Sequence, residues 1–166
     1  MTAAEALDKV LPLFQAYYDI KRDDVTAPFD AEASFSSHDE RYFLVKSAKM
    51  SEEDAYEHAF FAALDKLTLA KAKELEEIAW NAGILRAKPG PHHRCTDVTL
   101  VLLADEIDAD AQAFLRKLHR TKNYGFLLYG YSNYHVIAIE TSTGRMTCNR
   151  LGQHLRKLFS NINFLE

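Results

Sequence analysis

Residues 97–104 are rich in leucine and β-branched residues, and polar and apolar positions barely alternate along them. A run of this kind is typical of a β-strand that is covered by protein on both faces. The chain is therefore expected to build a layered domain around this strand, with further elements on each side of it.

The spacing of apolar residues assigns most of the remaining chain to helices and strands. It predicts helices over residues 3–19, 51–67, 69–82, 109–119 and 151–159. It predicts further strands over residues 35–37, 42–47, 124–131, 134–141 and 145–148. Pro12 falls inside the first helical pattern and predicts a kink there, or a helix that begins nearer Val10.

Together these elements predict a single α+β domain over residues 1–166. A helical amino-terminal part packs with a mixed or antiparallel sheet, and a helix closes the carboxyl terminus. The sheet includes a carboxy-terminal meander of three strands, in which Ser132 and Asn133 are expected to form the first tight turn.

The second strand of this meander is largely apolar on both faces. One face carries His135, Ile137 and Ile139, and the other carries Tyr134, Val136 and Ala138. One face is expected to receive helices, and the other needs the amino-terminal helices or a second subunit to cover it. This pattern favours a homodimer.

Charge is distributed unevenly along the chain. Residues 1–110 contain 12 Lys and Arg against 22 Asp and Glu, whereas residues 111–166 contain 8 against 2. This asymmetry indicates an electrostatic contact, either internal or with an anionic partner. Most basic residues of the last third fall near predicted helix ends, where they complement the helix dipole, namely Arg116, Lys117, Arg120, Arg156 and Lys157.

Residues 122–129 resemble the first ribonucleoprotein motif of RNA-recognition domains, with Asn123 where that motif has glycine. The resemblance implies a strand whose rings stack on unpaired bases. The predicted helix over 109–119 leaves no room for the strand that should precede the motif, so a buried strand is favoured. Nucleic-acid binding stays open as an alternative, with the candidate residues Lys122, Tyr124, Phe126, Tyr129, Arg145 and Arg150.

His92, His93 and Cys95 place three potential zinc ligands within four residues. The paired ligand spacing of structural zinc sites is missing, which favours a solvated loop. Residues 105–110 hold four carboxylates at the end of the predicted strand, but helix capping accounts for part of them. A metal-dependent hydrolase that uses one of these clusters is the second alternative.

No glycine-rich phosphate loop, dinucleotide fingerprint or nucleophile elbow is found, so no cofactor is expected. The sequence also contains no secretory signal, and its longest apolar stretch is far shorter than the ~20 residues that span a bilayer. Two cysteines do not make a disulfide framework. A cytoplasmic protein without membrane partners is expected.

Residues 17–20 (Tyr-Tyr-Asp-Ile) and the segment 124–152 resemble small bacterial proteins of unknown function. The resemblance implies no activity, cofactor or catalytic residue. With no coherent catalytic set in the residues themselves, the sequence favours a non-enzymatic protein that acts by binding or self-association.

Overall fold

The computed structural model of the protein describes residues 1–38 and 53–166. Within them, seven strands form one mixed sheet: β1 (Asp19–Lys21), β2 (Ala31–Ser36), β3 (Asp54–Leu67), β4 (His93–Ile107), β5 (Thr121–Asn123), β6 (Tyr131–Glu140) and β7 (Arg145–Cys148). The helices of the same residues are α1 (Ala3–Val10), α2 (Leu69–Leu85), α3 (Ala109–Lys117) and α4 (Gln153–Phe159), with 3₁₀ helices η1 (Leu11–Phe14) and η2 (Arg150–Gly152). The chain has the α+β fold that its sequence predicts.

The centre of the sheet is parallel. β3, β4 and β6 run side by side in one direction, with α2 in the first connection and α3 and β5 in the second. β2 and then β1 extend the sheet beyond β3 in antiparallel pairing. β5 pairs with residues 131–133 of β6 and β7 pairs with residues 137–140, both antiparallel. Because β4 occupies one edge of β6, β5 and β7 share the other edge.

The side chain of Asn149 fills the interval between β5 and β7 along this edge. Its Oδ1 atom accepts a hydrogen bond from the N–H of Val136 at 2.9 Å, and its Nδ2 group donates to the carbonyl of Tyr134 at 2.9 Å. Buried backbone groups must be paired, and one asparagine here supplies the partners that a neighbouring strand would give.

Helices cover both faces of the sheet. α1, η1 and α4 pack on the face that carries Val101 and Ile137, whereas α2 and α3 pack on the face that carries Leu100 and Val136. All four of these sheet residues are fully buried, and each contributes about 1.5–3 kcal/mol to folding. The strand predicted over 97–104 is therefore confirmed as one covered on both sides. The same chain also covers β6, so its sheet needs no second subunit.

The helix predicted over 51–67 is wrong where the structure describes it, because residues 54–67 form β3. Tyr56, Phe60 and Leu67 satisfy helical spacing by coincidence. β3 lies between β2 and β4 and is apolar on both faces, so it lacks the alternation that would have identified a strand. Residues 51 and 52, and the strand predicted over 42–47, lie outside the described residues.

The strand predicted over 124–131 is also wrong. Residues 124–130 form a turn between β5 and β6, and Ser132 and Asn133 lie within β6 instead of forming a tight turn. Gly125 and Gly130 adopt positive φ angles of 55° and 91°, which end the extended conformation at each side of the turn.

The amino-terminal helix is interrupted as Pro12 predicts. α1 ends at Val10 and continues as η1, which includes Pro12. Thr2 and Glu5 form a reciprocal capping box at its start. No helix in the part of the chain that the structure describes is long and apolar enough to cross a membrane.

Candidate functional site

The connection between β5 and β6 exposes a contiguous apolar surface. Residues 124–130, here called the apolar turn, close on a hydrogen bond from the N–H of Tyr124 to the carbonyl of Gly130. The exposed fractions at its tip are 99% for Phe126, 59% for Leu127, 74% for Leu128 and 43% for Tyr129. Single exposed apolar residues are ordinary in proteins, but a contiguous group of them marks a contact surface.

The backbone of the apolar turn is strained. Phe126 and Leu127 have φ angles of 54° and 73°, and the left-handed conformation costs a residue with a side chain about 1–2 kcal/mol. Such strain persists only where the surrounding structure enforces it, and it is concentrated at functional positions. The tip is therefore held in a defined conformation at an energetic cost.

His93 fixes the base of the apolar turn. Its Nδ1–H donates to the carbonyl of Tyr129 at 2.6 Å, and its Nε2 atom accepts from the hydroxyl of Thr96 at 2.7 Å. A Cβ atom at Gly130 would lie 2.4 Å from the same Nδ1 atom, so only glycine allows this approach. Both ring nitrogens of His93 are thus used in holding the turn.

A groove of about 340 Å³ lies beside the tip. It is lined by Pro91, Arg94, Leu127, Leu128 and Tyr131, among others. The projecting ring of Phe126 and this recess are neighbours on the same surface.

The nucleic-acid candidates are only partly brought together. The Lys122 ammonium lies 5.6 Å from the centroid of the Tyr124 ring, and Phe126 and Tyr129 project nearby. Lys122 pairs with Ser132 on β6, whereas Arg145 pairs with Glu140, roughly 26 Å further along that strand. Arg150 begins η2, beyond β7. The rings lie on a turn and not on one face of a strand.

The three metal-ligand candidates lie in different environments. His92 is exposed, His93 holds the apolar turn, and Cys95 is buried. Burial and the nearby Asp97 raise the pKa of the Cys95 thiol to about 11, which disfavours the thiolate that zinc needs. Within residues 1–38 and 53–166, no three His, Cys, Asp or Glu side chains are grouped to hold a metal ion. The metal site at these residues stays a prediction from sequence.

The carboxylates that follow β4 contact structural partners. Asp105 accepts hydrogen bonds from the backbone N–H of Ala3 at 2.7 Å and from the hydroxyl of Thr141 at 3.1 Å. Asp108 stands at the amino-terminal cap position of α3, and its carboxylate lies 3.1 Å from the Lys66 ammonium. These acids hold the amino terminus, β3 and α3 in place.

A second cluster of polar side chains lies across the three parallel strands, on the face that packs against η1 and α4. It consists of Tyr18, Glu57, Asp97, Thr99, His135 and His154, here called the polar centre. The side chains of Glu57, Asp97 and His135 are 16%, 20% and 15% exposed, so each keeps a small contact with solvent. The rest of this sheet face is apolar and includes Phe61, Val101 and Ile137.

Glu57 is the anchored member of the polar centre. Its carboxylate accepts hydrogen bonds from the hydroxyls of Tyr18 and Thr99. Burial by itself raises the pKa of Glu57, but the His135 ring and the two hydroxyls outweigh burial and lower that pKa below its ordinary value. Glu57 is therefore ionised at neutral pH.

His135 lies between two carboxylates. Its Nδ1 atom is 3.8 Å from Oε1 of Glu57 and 3.4 Å from the hydroxyl oxygen of Thr99. On the other side of the ring, Nε2 is 4.0 Å from Oδ2 of Asp97. Burial raises the pKa of Asp97 above its ordinary value, although His135 and the N–H of Asn133 oppose this effect. The two carboxylates thus have pKa values shifted in opposite directions.

His154 completes the polar centre from α4. Its ring meets the His135 ring edge to face, with 4.8 Å between the centroids. Burial, together with the neighbouring His135, lowers the pKa of His154, which keeps this ring neutral.

The sequence carried a signal for this cluster that was missed. Glu57 fell inside a region assigned to a helix, and His135 was noted only as a member of an apolar strand face. A polar residue in a strand that is buried on both faces needs a partner. Glu57, Asp97 and His135 each meet this description once β3, β4 and β6 are recognised.

Replacing Tyr18 with phenylalanine tests the anchoring of Glu57. We expect the free energy of unfolding at pH 7 to fall by about 1.5–3 kcal/mol, since a hydrogen bond to a charged group is lost. Because the folded pKa of Glu57 is lowered, its contribution is present above the ordinary value of 4.5 and is lost as pH falls through the folded pKa. The difference between the variant and the wild type should therefore shrink in acid.

Urea titrations at several pH values, with NMR titration of the Glu57 carboxyl carbon, measure this effect. The pKa of Glu57 should rise in the variant. A stability difference that is the same at pH 3 and pH 7 would contradict the assignment. Tyr17→Phe is the matched control, because Tyr17 is exposed.

Comparison with known proteins adds a family but no activity. Residues 2–161 match the family model described as a domain of unknown function, DUF8052. No curated protein matches the chain, and no solved structure matches it either.

Proposed function

Because the chain belongs to the DUF8052 family, whose function is unknown, we propose from its own surface that it acts by binding, and that it binds a second copy of itself through the apolar turn. The observation that carries the proposal is the exposure of four consecutive large apolar side chains on a strained, fixed turn. The free energy falls when a partner removes exposed apolar surface of this kind from water.

The chemistry of the turn suits a second copy of the chain. Residues 123–131 contain no charged side chain. In a twofold symmetric contact each surface patch meets itself, so like charges would face each other and oppose association. The apolar turn brings no such charge to the contact, and the groove beside it contributes one acidic and one basic side chain, Glu53 and Arg94.

The shape of the surface supports the same partner. Phe126 projects fully into solvent, and the groove lined by Pro91, Leu128 and Tyr131 lies beside it. Twofold symmetry lets the Phe126 ring of each copy enter the groove of the other, so that one arrangement fills both recesses.

The contact should be weak. Stable protein interfaces bury about 1,200–2,000 Å² in total, and the tip of one turn supplies only a fraction of this area. We therefore expect reversible dimers with a dissociation constant in the range of roughly 10–500 μM, which corresponds to a binding free energy of about 4.5–7 kcal/mol.

The substitution Phe126→Asp tests the proposal. It places a charge at the centre of the contact, and we expect it to abolish dimers at concentrations where the wild type shows them. Sedimentation equilibrium over a wide concentration range measures the effect. Leu85→Asp is the matched control, because Leu85 is 84% exposed at the end of α2, and it should leave the dimer unchanged.

Two results would contradict self-association through this surface. One is a wild-type protein that stays monomeric up to several hundred micromolar. The other is a dimer whose dissociation constant is the same in Phe126→Asp and in the wild type.

Single-stranded nucleic acid is the second candidate partner. This partner is favoured by two exposed aromatic side chains, Phe126 and Tyr129, near the Lys122 ammonium. Fluorescence anisotropy with mixed-sequence oligonucleotides should then show binding that weakens steeply with salt and is lost in Phe126→Asp. An unchanged anisotropy at low salt would exclude this partner.

We also propose a cytoplasmic location. The support is the state of Cys95 and Cys148, which are both free and buried. Unpaired cysteines are typical of a reducing compartment.

A further inference from the structure

The contacts of His135 in the polar centre determine which of its two ring nitrogens carries the hydrogen. The Nδ1 side of the His135 ring faces hydrogen-bond acceptors. The Thr99 hydroxyl donates its hydrogen to Glu57, so its oxygen is left to accept, and the Glu57 carboxylate only accepts. A neutral His135 ring therefore carries its hydrogen on Nδ1.

This tautomer leaves the lone pair of Nε2 directed at Asp97. Oδ2 of Asp97 lies 4.0 Å from that nitrogen, while the other oxygen of the carboxylate accepts from the N–H of Asn133. Two acceptors then face each other at a distance that is too long for a direct hydrogen bond. A group that donates two hydrogens satisfies both of them.

A separation of 4.0 Å between two acceptors is one that a bridging water can span. Its oxygen can lie about 2.8 Å from both Nε2 and Oδ2, with one hydrogen directed at each. Its lone pairs then point away from the two acceptors. Such a water is oriented for attack on an electrophile, with a base already in contact with its proton.

We propose that the polar centre is a hydrolytic site in which His135 is the general base for water and the substrate is an uncharged carboxylic ester. The Thr99 hydroxyl contacts Nδ1 and orients the ring, and it is itself held by Glu57. Tyr18 positions Glu57, and Asp97 holds the water. Catalytic bases of other enzymes are fixed by a carboxylate on their far side, and here that carboxylate acts through the Thr99 hydroxyl.

The proposed reaction conserves atoms and protons. His135 Nε2 takes one proton from water while the water oxygen bonds to the ester carbonyl carbon. When the tetrahedral intermediate collapses, the bond from that carbon to the alcohol oxygen breaks, and the proton on Nε2 passes to the leaving oxygen. Ester and water give carboxylic acid and alcohol, and the imidazole returns to its neutral form.

The charges of the site select the substrate class. Asp97 lies next to the attacking water and Glu57 lies on the far side of the His135 ring, and both carboxylates disfavour phosphate esters and other anions. An uncharged ester meets no such repulsion.

Hydrolysis of p-nitrophenyl acetate by the full chain tests the proposal. The wild type should show saturable release of p-nitrophenolate. His135→Gln and, independently, Asp97→Asn should lower kcat/KM by about 100-fold or more, the usual contribution of a general base. His119→Gln is the control for incidental imidazole reactivity, since His119 is exposed and outside the polar centre. Thermal midpoints of all variants verify folding.

Three results would overturn the proposal. The wild type could release p-nitrophenolate no faster than free imidazole at the same concentration. Folded His135→Gln or Asp97→Asn could retain the wild-type rate. The wild type could prefer p-nitrophenyl phosphate to the acetate, which would contradict the substrate class. Saturable hydrolysis lost in both variants would instead overturn the sequence-based expectation of a non-enzymatic protein.

Discussion

Replacing Asn149 with alanine should lower the free energy of unfolding by about 4 kcal/mol. Besides its bonds to Val136 and Tyr134, the side chain accepts from the N–H of Gly152 at 2.9 Å and donates to the carbonyl of Leu118 at 3.2 Å. Asn149 is 1% exposed, so the groups of Val136, Tyr134 and Leu118 lose this partner inside the protein, whereas the N–H of Gly152 keeps its bond to the Asn149 carbonyl. Each such group costs about 1–3 kcal/mol, and local rearrangement recovers part of the total.

Urea denaturation followed by circular dichroism measures this loss as a lower midpoint at an unchanged slope. Asn163→Ala is the matched control. The Asn163 side chain accepts one hydrogen bond, from the N–H of Leu165, at an exposed position, and its loss should cost less than about 0.5 kcal/mol. A loss below about 1 kcal/mol in Asn149→Ala would contradict the role given to this side chain.

Replacing Arg120 with methionine should cost about 3 kcal/mol. The Nε and Nη2 atoms of Arg120 each lie 2.8 Å from an oxygen of Glu76, whose side chain is 7% exposed. Removing the arginine leaves a buried carboxylate without its partner, which typically costs about 3–5 kcal/mol. We expect the lower end of this range because the Arg120 side chain is 35% exposed.

A double variant separates the cost of the orphaned charge from the value of the pair. Glu76→Met combined with Arg120→Met should be more stable than Arg120→Met alone, since no charge then remains buried. Arg22→Met is the control, because the Arg22–Asp8 pair is more than half exposed on both sides and should contribute under about 1 kcal/mol. Equal losses in the Arg120 and Arg22 variants would contradict the analysis.

The sequence predicts an element correctly where the composition of that short segment alone distinguishes a buried strand from a helix. Residues 97–104 were assigned correctly because a strand covered on both faces has a recognisable composition, and β4 extends that assignment at both ends. β3 has the same environment, but its apolar residues also fall at helical spacing. Only its pairing with β2 and β4, which are distant in sequence, distinguishes the two possibilities.

The apolar turn was misassigned for a different reason. Its aromatic and leucine residues have high strand propensity, and that outweighed the glycines at positions 125 and 130. Those glycines were the visible signal of a turn.

The polar centre could not be assembled from sequence at all. Tyr18 and His154 are 136 positions apart, and they join one cluster only because η1 and α4 pack on the same face of the sheet. Single residues such as His135 were visible in advance, but their partners depend on sheet order and register, which composition does not determine.

The divided outer edge of β6 has a consequence for aggregation of the protein. β5 offers three residues and β7 offers four, and the two are separated by an asparagine side chain. An edge strand must be long to pair with a strand of another molecule. Short, interrupted edge strands therefore disfavour the growth of fibrils. We therefore expect concentrated solutions of this protein not to form amyloid, although the apolar turn is exposed.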